Sequence, residues 1–161
     1  MPEHLYDRAS RACAIDDLDP RLCATILAAA ETELLGNVAA IALGCVETRS
    51  VPRRRPSFSA RLFGGAPLRE TLTAAVLLPR HLLVAVADVR TRTTTAHSGR
   101  LADMTVTEVD RQLAIDSGVS VCTRWSSGSE AGSMHVAFGD DAAGVWFKGM
   151  LRQAVRAARS S

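Results

Sequence analysis

The chain has 161 residues, of which 47% are hydrophobic and 22% are charged. This balance is that of a soluble globular protein, and the length suits one domain with a sizeable core of its own. A disulfide scaffold, a collagen-like chain and a fully disordered chain are therefore excluded. The 19 basic and 17 acidic residues give a formal net charge of +2, so overall charge offers no general case for nucleic-acid binding.

The first 18 residues are polar and lack hydrophobic periodicity, so we predict that they form a flexible N-terminal arm. They also lack the apolar stretch of a signal peptide, and no apolar run in the chain is long enough to span a bilayer. On these grounds we expect a cytoplasmic protein.

A helix is predicted over residues 19–36. Asp19 is a suitable N-cap and Pro20 a suitable first helical residue, while Gly36 is a typical helix terminator. Between them Leu22 and Ile26 recur at the helical spacing of four residues, so one face of this helix must pack on another element.

The rest of the chain, residues 37–161, is predicted to form one domain of seven antiparallel strands and a last helix. The first strand begins at Val38 and ends near Arg49, and a hairpin over residues 71–89 turns at Pro79 and Arg80. The alternation of apolar and polar residues predicts the remaining strands within residues 93–98, 104–109, 119–124 and 134–138.

The last helix follows Asp140, which we predict to be its N-cap. Its apolar face includes Phe147 and Leu151, and its basic residues recur on the opposite face. Those basic residues are Lys148, Arg152, Arg156 and Arg159. The helix is therefore amphipathic, with its basic side expected in solvent.

Three segments have sequences that resemble those of the bacterial pleckstrin-homology-like (PH-like) family. They are the hairpin LTAAVLLPRHLL at residues 72–83, the segment RLADMTV at residues 100–106, and AFG at residues 137–139. Seven meandering strands closed by a C-terminal amphipathic helix is also the order of that family. The resemblance covers roughly residues 36–159, with an extra N-terminal helix in front.

The resemblance implies a PH-like sandwich or barrel, with the last helix plugging one open end. It places Trp146, Phe147, Met150 and Leu151 in the core. Burial of each such side chain is worth about 1.5–3 kcal/mol. The family's motifs are structural, and its bacterial members assemble with copies of themselves.

An Arg-rich loop at about residues 50–70 is the strongest local signal. Six arginines and no acid lie between Arg49 and Arg69. In eukaryotic PH domains, the loop between the first two strands holds the basic residues that grip phosphoinositide headgroups, and this loop resembles it in position. The candidate residues for an anionic ligand are Arg53, Arg54, Arg55 and Arg61, with Phe58 and Phe63 as apolar wedges. The alternatives are a solvated loop without a partner and contact with an acidic protein or nucleic acid.

No enzymatic signature accompanies these patterns. The sequence contains none of the motifs for a nucleophile elbow, a phosphate-binding loop, dinucleotide binding or zinc hydrolysis. The four cysteines, Cys13, Cys23, Cys45 and Cys122, form no C-x-x-C pair, so we interpret them as small hydrophobic residues. We therefore predict a protein without catalytic residues, metal or cofactor.

The sequence leads to two hypotheses. The favoured one is a non-enzymatic binding or scaffolding module in a bacterial cytoplasm, which binds a protein or peptide, or a second copy of itself, at a strand edge or beside the last helix. The alternative is a peripheral binder of anionic membrane lipid at the inner membrane face, acting through the Arg-rich loop. Nucleic acid is not an expected partner.

Overall fold

The computed structural model describes residues 4–53, 68–108 and 117–161. In these ranges the strands are β1 (Tyr6–Ala12), β2 (Gly44–Pro52), β3 (Thr71–Leu77), β4 (His81–Asp88), β5 (Thr94–Arg100), β6 (Thr105–Glu108), β7 (Val119–Arg124) and β8 (Ala131–Val136). The helices are α1 (Pro20–Thr32), α2 (Val38–Ile41) and α3 (Ala142–Arg159), with short 3-10 helices at Ile15–Asp17 and Leu101–Asp103.

The strands form two antiparallel sheets. One has five strands in the order β1-β2-β3-β4-β5, and the other has three in the order β6-β7-β8. The predicted class, mainly β with antiparallel strands and a C-terminal helix, is confirmed. The predicted count of seven strands is wrong, since the described residues contain eight, and their two sheets do not close into a barrel.

Strands β3 and β4 lie at the centre of the molecule and are covered on both faces. Ten of their fifteen residues are buried and the other five are partly buried. The tight hairpin between them is closed by the Leu78 N–H, which donates to the His81 carbonyl at 2.8 Å. Because both faces are covered, these strands are almost continuously apolar in sequence. The predicted hairpin and its turn are confirmed.

Helix α1 covers the outer face of the five-stranded sheet. Its buried residues Leu22, Ile26 and Ala30 recur every four residues and pack with alternate residues of β3 and β4. Small side chains such as Ala74 and Ala85 on this face allow the helix to approach closely. The predicted N-cap is confirmed, since the Asp19 side chain accepts a hydrogen bond from the Arg21 N–H.

Helix α3 and the three-stranded sheet cover the inner face. Phe147 and Leu151 are fully buried, and the centres of the Phe147 and Phe138 rings are 5.4 Å apart. Met150 is partly buried against this core, but Trp146 is 45% exposed. The prediction of Trp146 as a core residue is therefore wrong, because its position on α3 lies at the margin of the buried stripe.

The predicted N-terminal arm contains strand β1, which differs from the prediction. Tyr6–Ala12 pairs with β2 along its whole length, from Tyr6 opposite Pro52 to Ala12 opposite Val46. Its sequence, YDRASRA, is polar because an edge strand buries little of either face. Hydrophobic periodicity is therefore a poor guide to such a strand.

The boundaries after α1 also differ from the prediction. The helix ends at Thr32, and Leu34, at φ 57°, takes the left-handed conformation that ends it. Residues 38–41, predicted to begin a strand, form the short helix α2, whose N-cap Asn37 accepts from the Ala40 N–H. The strand itself begins later, at Gly44, and ends at Pro52.

Polar contacts join the two sheets at two corners. At one corner the Ser126 N–H donates to the Ser98 carbonyl of β5 at 2.9 Å. At the other, Ser10 of β1 accepts a hydrogen bond from the Gly139 N–H at 2.9 Å, and its own N–H donates to Asp141 Oδ2 at 2.7 Å. The second corner holds the start of α3 against edge strand β1.

Two glycines of α3 give a matched test of this packing. A Cβ added at Gly144 would overlap the carbonyl oxygen of Gly139, whereas one added at Gly149 would meet nothing within 4 Å. We expect Gly144→Ala to lower the free energy of unfolding by about 1–3 kcal/mol, through overpacking against backbone. Gly149→Ala should raise it by about 0.5–1 kcal/mol, through helix propensity. Urea denaturation of the two variants measures both, and equal effects would contradict the placement of α3.

Candidate functional site

Of the residues predicted to bind an anion, the structure describes Arg53. It follows β2 directly, its N–H donates to the Leu5 carbonyl at 2.9 Å, and its side chain pairs with Asp7. Both side chains of this ion pair are substantially exposed, so the pair is worth at most about 1 kcal/mol and a stronger anion could displace Asp7. The other candidates lie outside the described residues: Arg54, Arg55, Phe58, Arg61 and Phe63.

A cavity of about 390 Å³ lies beside edge strand β1, and Arg53 lines it. Two further arginines, Arg8 of β1 and Arg49 of β2, share this lining. The acids of the cavity are Asp7, Asp140 and Asp141. The structure thus brings Arg53 together with two arginines outside the predicted candidate set, in a cavity whose lining also holds carboxylates.

Arg8 is the most enclosed of the three arginines. Its Nε donates to Ser50 Oγ at 2.9 Å, its Nη1 donates to the Ser117 carbonyl and lies 3.2 Å from His135 Nε2, and its guanidinium lies 5.1 Å from the centre of the Tyr6 ring. These contacts join β1 to the second sheet. Arg8 is therefore a structural link between the sheets as well as part of the cavity wall.

The outer face of the five-stranded sheet has a row of ion pairs next to the N-terminus of α1. Arg11 pairs with its cross-strand neighbour Glu47 at 3.0 Å, and Arg49 pairs with Glu70 at 2.5 Å. The hydrogen bond that Arg11 donates to Glu47 raises the pKa of Arg11 above its usual value. Each arginine in this row faces a carboxylate, so the row is neutral and is not a basic patch.

Basic residues of α3 fill the groove between this helix and β6. Arg159 donates to the Met104 carbonyl at 2.6 Å and to Thr105 Oγ1 at 3.0 Å, and Arg152 pairs with Glu108. The cavity that remains measures about 190 Å³. The groove beside the last helix, one of the two binding positions expected from the sequence, is therefore partly occupied by the chain's own side chains.

Strand β8 is an open edge of the three-stranded sheet. Within the described residues it is hydrogen-bonded to β7 alone. Residues 131–133 (Ala-Gly-Ser) are exposed, and the strand contains no proline, lysine or carboxylate, the residues that commonly protect an edge from other strands. The hairpin that carries it is anchored from within by Trp125, whose Nε1 donates to the Gly132 carbonyl at 3.1 Å.

The other three edges are contacted by different parts of the chain. In β1, the Ser10 N–H donates to Asp141. In β5, the Ser98 N–H donates to Ser126 Oγ and the Ser98 carbonyl accepts from the Ser126 N–H. At the start of β6, Arg159 donates to Thr105 Oγ1. The sequence gives little sign of this difference, because all four edge strands are short and polar. Only the packing of loops and α3 distinguishes β8.

Burial and hydrogen bonds shift the pKa values of several titratable groups in the described ranges. These ranges contain no group of three or more histidine, cysteine or acidic side chains that could hold a metal ion. Burial, with Arg100 nearby, lowers the pKa of His81 below its usual value and so favours its neutral form. A hydrogen bond from Arg21 lowers the pKa of the helix-capping Asp19.

No protein-family model, curated protein or solved structure matches the chain. Among the helices described here, none combines the length and the apolar character needed to cross a lipid bilayer.

The carboxylates at the start of α3 permit a matched test. Asp141, and not the predicted Asp140, is the N-cap: its Oδ1 accepts from the Gly144 N–H at 3.0 Å while its Oδ2 holds Ser10 of β1. We expect Asp141→Ala to lower the free energy of unfolding by about 1–2 kcal/mol through loss of the cap. Asp140→Ala, on an exposed side chain, should change it by less than about 0.5 kcal/mol. Thermal denaturation measures both, and the reverse order would restore Asp140 as the cap.

Proposed function

We propose that the chain is a non-enzymatic binding module with a PH-like sandwich fold, and that it binds another polypeptide by strand addition at β8. The order of the described elements supports the fold: meandering strands in two sheets, then an amphipathic helix against their inner side. The sequence of the β3–β4 hairpin resembles that of the PH-like family, and this also supports the proposed fold.

The open edge of β8 carries the proposal. An unprotected edge presents backbone donors and acceptors to another strand, and a partner strand satisfies them without any particular side-chain chemistry. The chain's own contacts at β8 include Trp125 at the Gly132 carbonyl and Arg8 at His135. Residues 131–133 are nevertheless exposed, so this end of β8 is accessible to a new strand.

We take a second copy of the chain as the occupant to test. An uncharged strand edge does not repel itself, and two copies of β8 related by a two-fold axis would form one continuous antiparallel sheet of six strands. The same edge would accept a heterologous strand of similar character.

A lysine on β8 tests strand addition. A side chain added at Gly132 meets nothing within 4 Å, so Gly132→Lys places a charge at the edge without disturbing the fold. We expect the wild-type chain to be dimeric by light scattering coupled to size exclusion, and Gly132→Lys to be monomeric. Gly149→Lys, which adds the same charge at an open position of α3, is the matched control and should remain dimeric. A wild-type chain that stays monomeric at all concentrations, or a Gly132→Lys dimer, would refute this use of the edge.

A second candidate function is the binding of an anionic membrane surface. It is favoured by the position of Arg53, which shares the β1 cavity with Arg8 and Arg49 and directly precedes two more arginines in the sequence. Each basic residue near an anionic lipid surface contributes about 1 kcal/mol. Displacement of Asp7 from Arg53 would reduce this binding free energy only slightly, because their ion pair is exposed.

Co-sedimentation with vesicles tests this candidate. With phosphatidylcholine vesicles containing phosphatidylglycerol, we expect binding that is lost at high salt and weakened roughly 100-fold by joint alanine replacement of Arg53, Arg54 and Arg55. Alanine at the exposed Arg90, Arg124 and Arg156 makes the same charge change elsewhere and should have much less effect. Equal weakening by both triple variants would indicate only general charge attraction, and an absence of binding would remove the candidate.

A further inference from the structure

Cys13 and Cys45 face each other across the β1–β2 pair. The register of β1 and β2 ends with Ala12 opposite Val46, and one residue further the Cys13 N–H donates to the Cys45 carbonyl at 3.1 Å. The pairing thus continues past the end of β1. It places these two cysteines directly opposite one another, although 31 residues separate them in the sequence.

The two side chains also lie on the same face of the sheet. Both belong to the apolar cluster beneath α1, and each thiol affects the pKa of the other. Opposed residues of a hydrogen-bonded antiparallel pair have Cα atoms about 5.5 Å apart, near the commonest Cα separation in disulfides. A bond between the two sulfur atoms would therefore require little movement of the backbone.

The surroundings favour the protonated form of both thiols in the reduced state, so disulfide exchange is slow and proceeds through the small fraction of each thiol that is ionised. Burial raises the pKa of Cys13 and, more strongly, that of Cys45. The charged groups that act on the pair are Arg11, which lowers the pKa of both thiols, and Glu47 and Asp17, which act in the opposite sense. Cys45 is buried and Cys13 is partly exposed, so a reagent in solution reaches Cys13 first.

We propose that Cys13 and Cys45 form a reversible cross-strand disulfide by exchange with a low-molecular-weight disulfide of the glutathione type. The Cys13 thiolate attacks one sulfur of that disulfide, forms a mixed disulfide and releases one small thiolate, which takes up a proton. The Cys45 thiolate then attacks Cys13 Sγ, forms the Cys13–Cys45 bond and releases the second small thiol. The two protein thiols are oxidised, the small disulfide is reduced to two thiols, and the two protons pass to those thiols.

The bond would tie edge strand β1 to β2 at the end where the chain turns towards α1. The loop that it closes contains the 3-10 helix at Ile15–Asp17, α1 and α2. Closing this loop restricts the unfolded chain more than the folded one. The disulfide would therefore stabilise, in a redox-dependent way, both the edge strand β1 and the helical unit that covers the outer face of the sheet.

The test uses a chain in which Cys23→Ser and Cys122→Ser leave Cys13 and Cys45 as the only thiols. After incubation of the folded protein with oxidised glutathione, we expect an intact mass lower by two hydrogens, no thiol that reacts with alkylating reagent, and recovery of both thiols with dithiothreitol. The oxidised form should have a Tm about 5–10 °C above that of the reduced form. Further replacement by Cys45→Ala should instead leave a glutathione adduct on Cys13.

Two results would overturn the proposal. One is a stable glutathione adduct on Cys13 in the chain that retains Cys45, since a neighbouring thiol would resolve it. The other is a bond that forms only in urea, since the folded geometry would then not favour it. Neither result depends on strand addition at β8 or on vesicle binding, so this inference and the proposed function fail separately.

Discussion

The structure depends on the burial of both faces of β3 and β4. Each face needs its own cover, and the chain provides two: α1 on the outer face and the three-stranded sheet with α3 on the inner face. This requirement leaves β1 and β5 as the outer strands of the central sheet. The polar alternation of β1 follows from that position, because an edge strand borders solvent and loops instead of core.

The candidate binding features all lie at the margins that this arrangement creates. Arginines are abundant at these margins, but those on the outer face of the five-stranded sheet form ion pairs with carboxylates. Arg11 pairs with Glu47, and Arg49 pairs with Glu70. Charge alone therefore does not distinguish a ligand site. Exposure is a better criterion, because residues 131–133 of the β8 edge are exposed, although Trp125 donates to the Gly132 carbonyl and Arg8 contacts His135. The proposals rest on that exposure and on the position of Arg53.

The cysteines show how a pair of residues that is close in space can be invisible in sequence. Cys13 and Cys45 have no diagnostic spacing, and a helical unit separates them in the chain. Antiparallel register places them opposite each other, and the even side-chain period of a strand puts both on the face beneath α1. A spacing rule finds cysteines that are near along the chain. It does not find those brought together by strands whose register the sequence leaves open, least of all when one strand is too polar to be recognised.

The sequence by itself determined the parts whose signals are local. The N-cap and periodicity of α1, the apolar hairpin of β3 and β4, and the amphipathic stripe of α3 depend on neighbouring residues. Hydrophobic burial or a capping hydrogen bond is sufficient to specify them. Tertiary structure decided which polar segment became β1, which of two aspartates capped α3, and which strand edge remained open. These outcomes depend on what lies opposite each residue in space. Residues with similar local signals, such as Asp140 and Asp141, differ only in that respect.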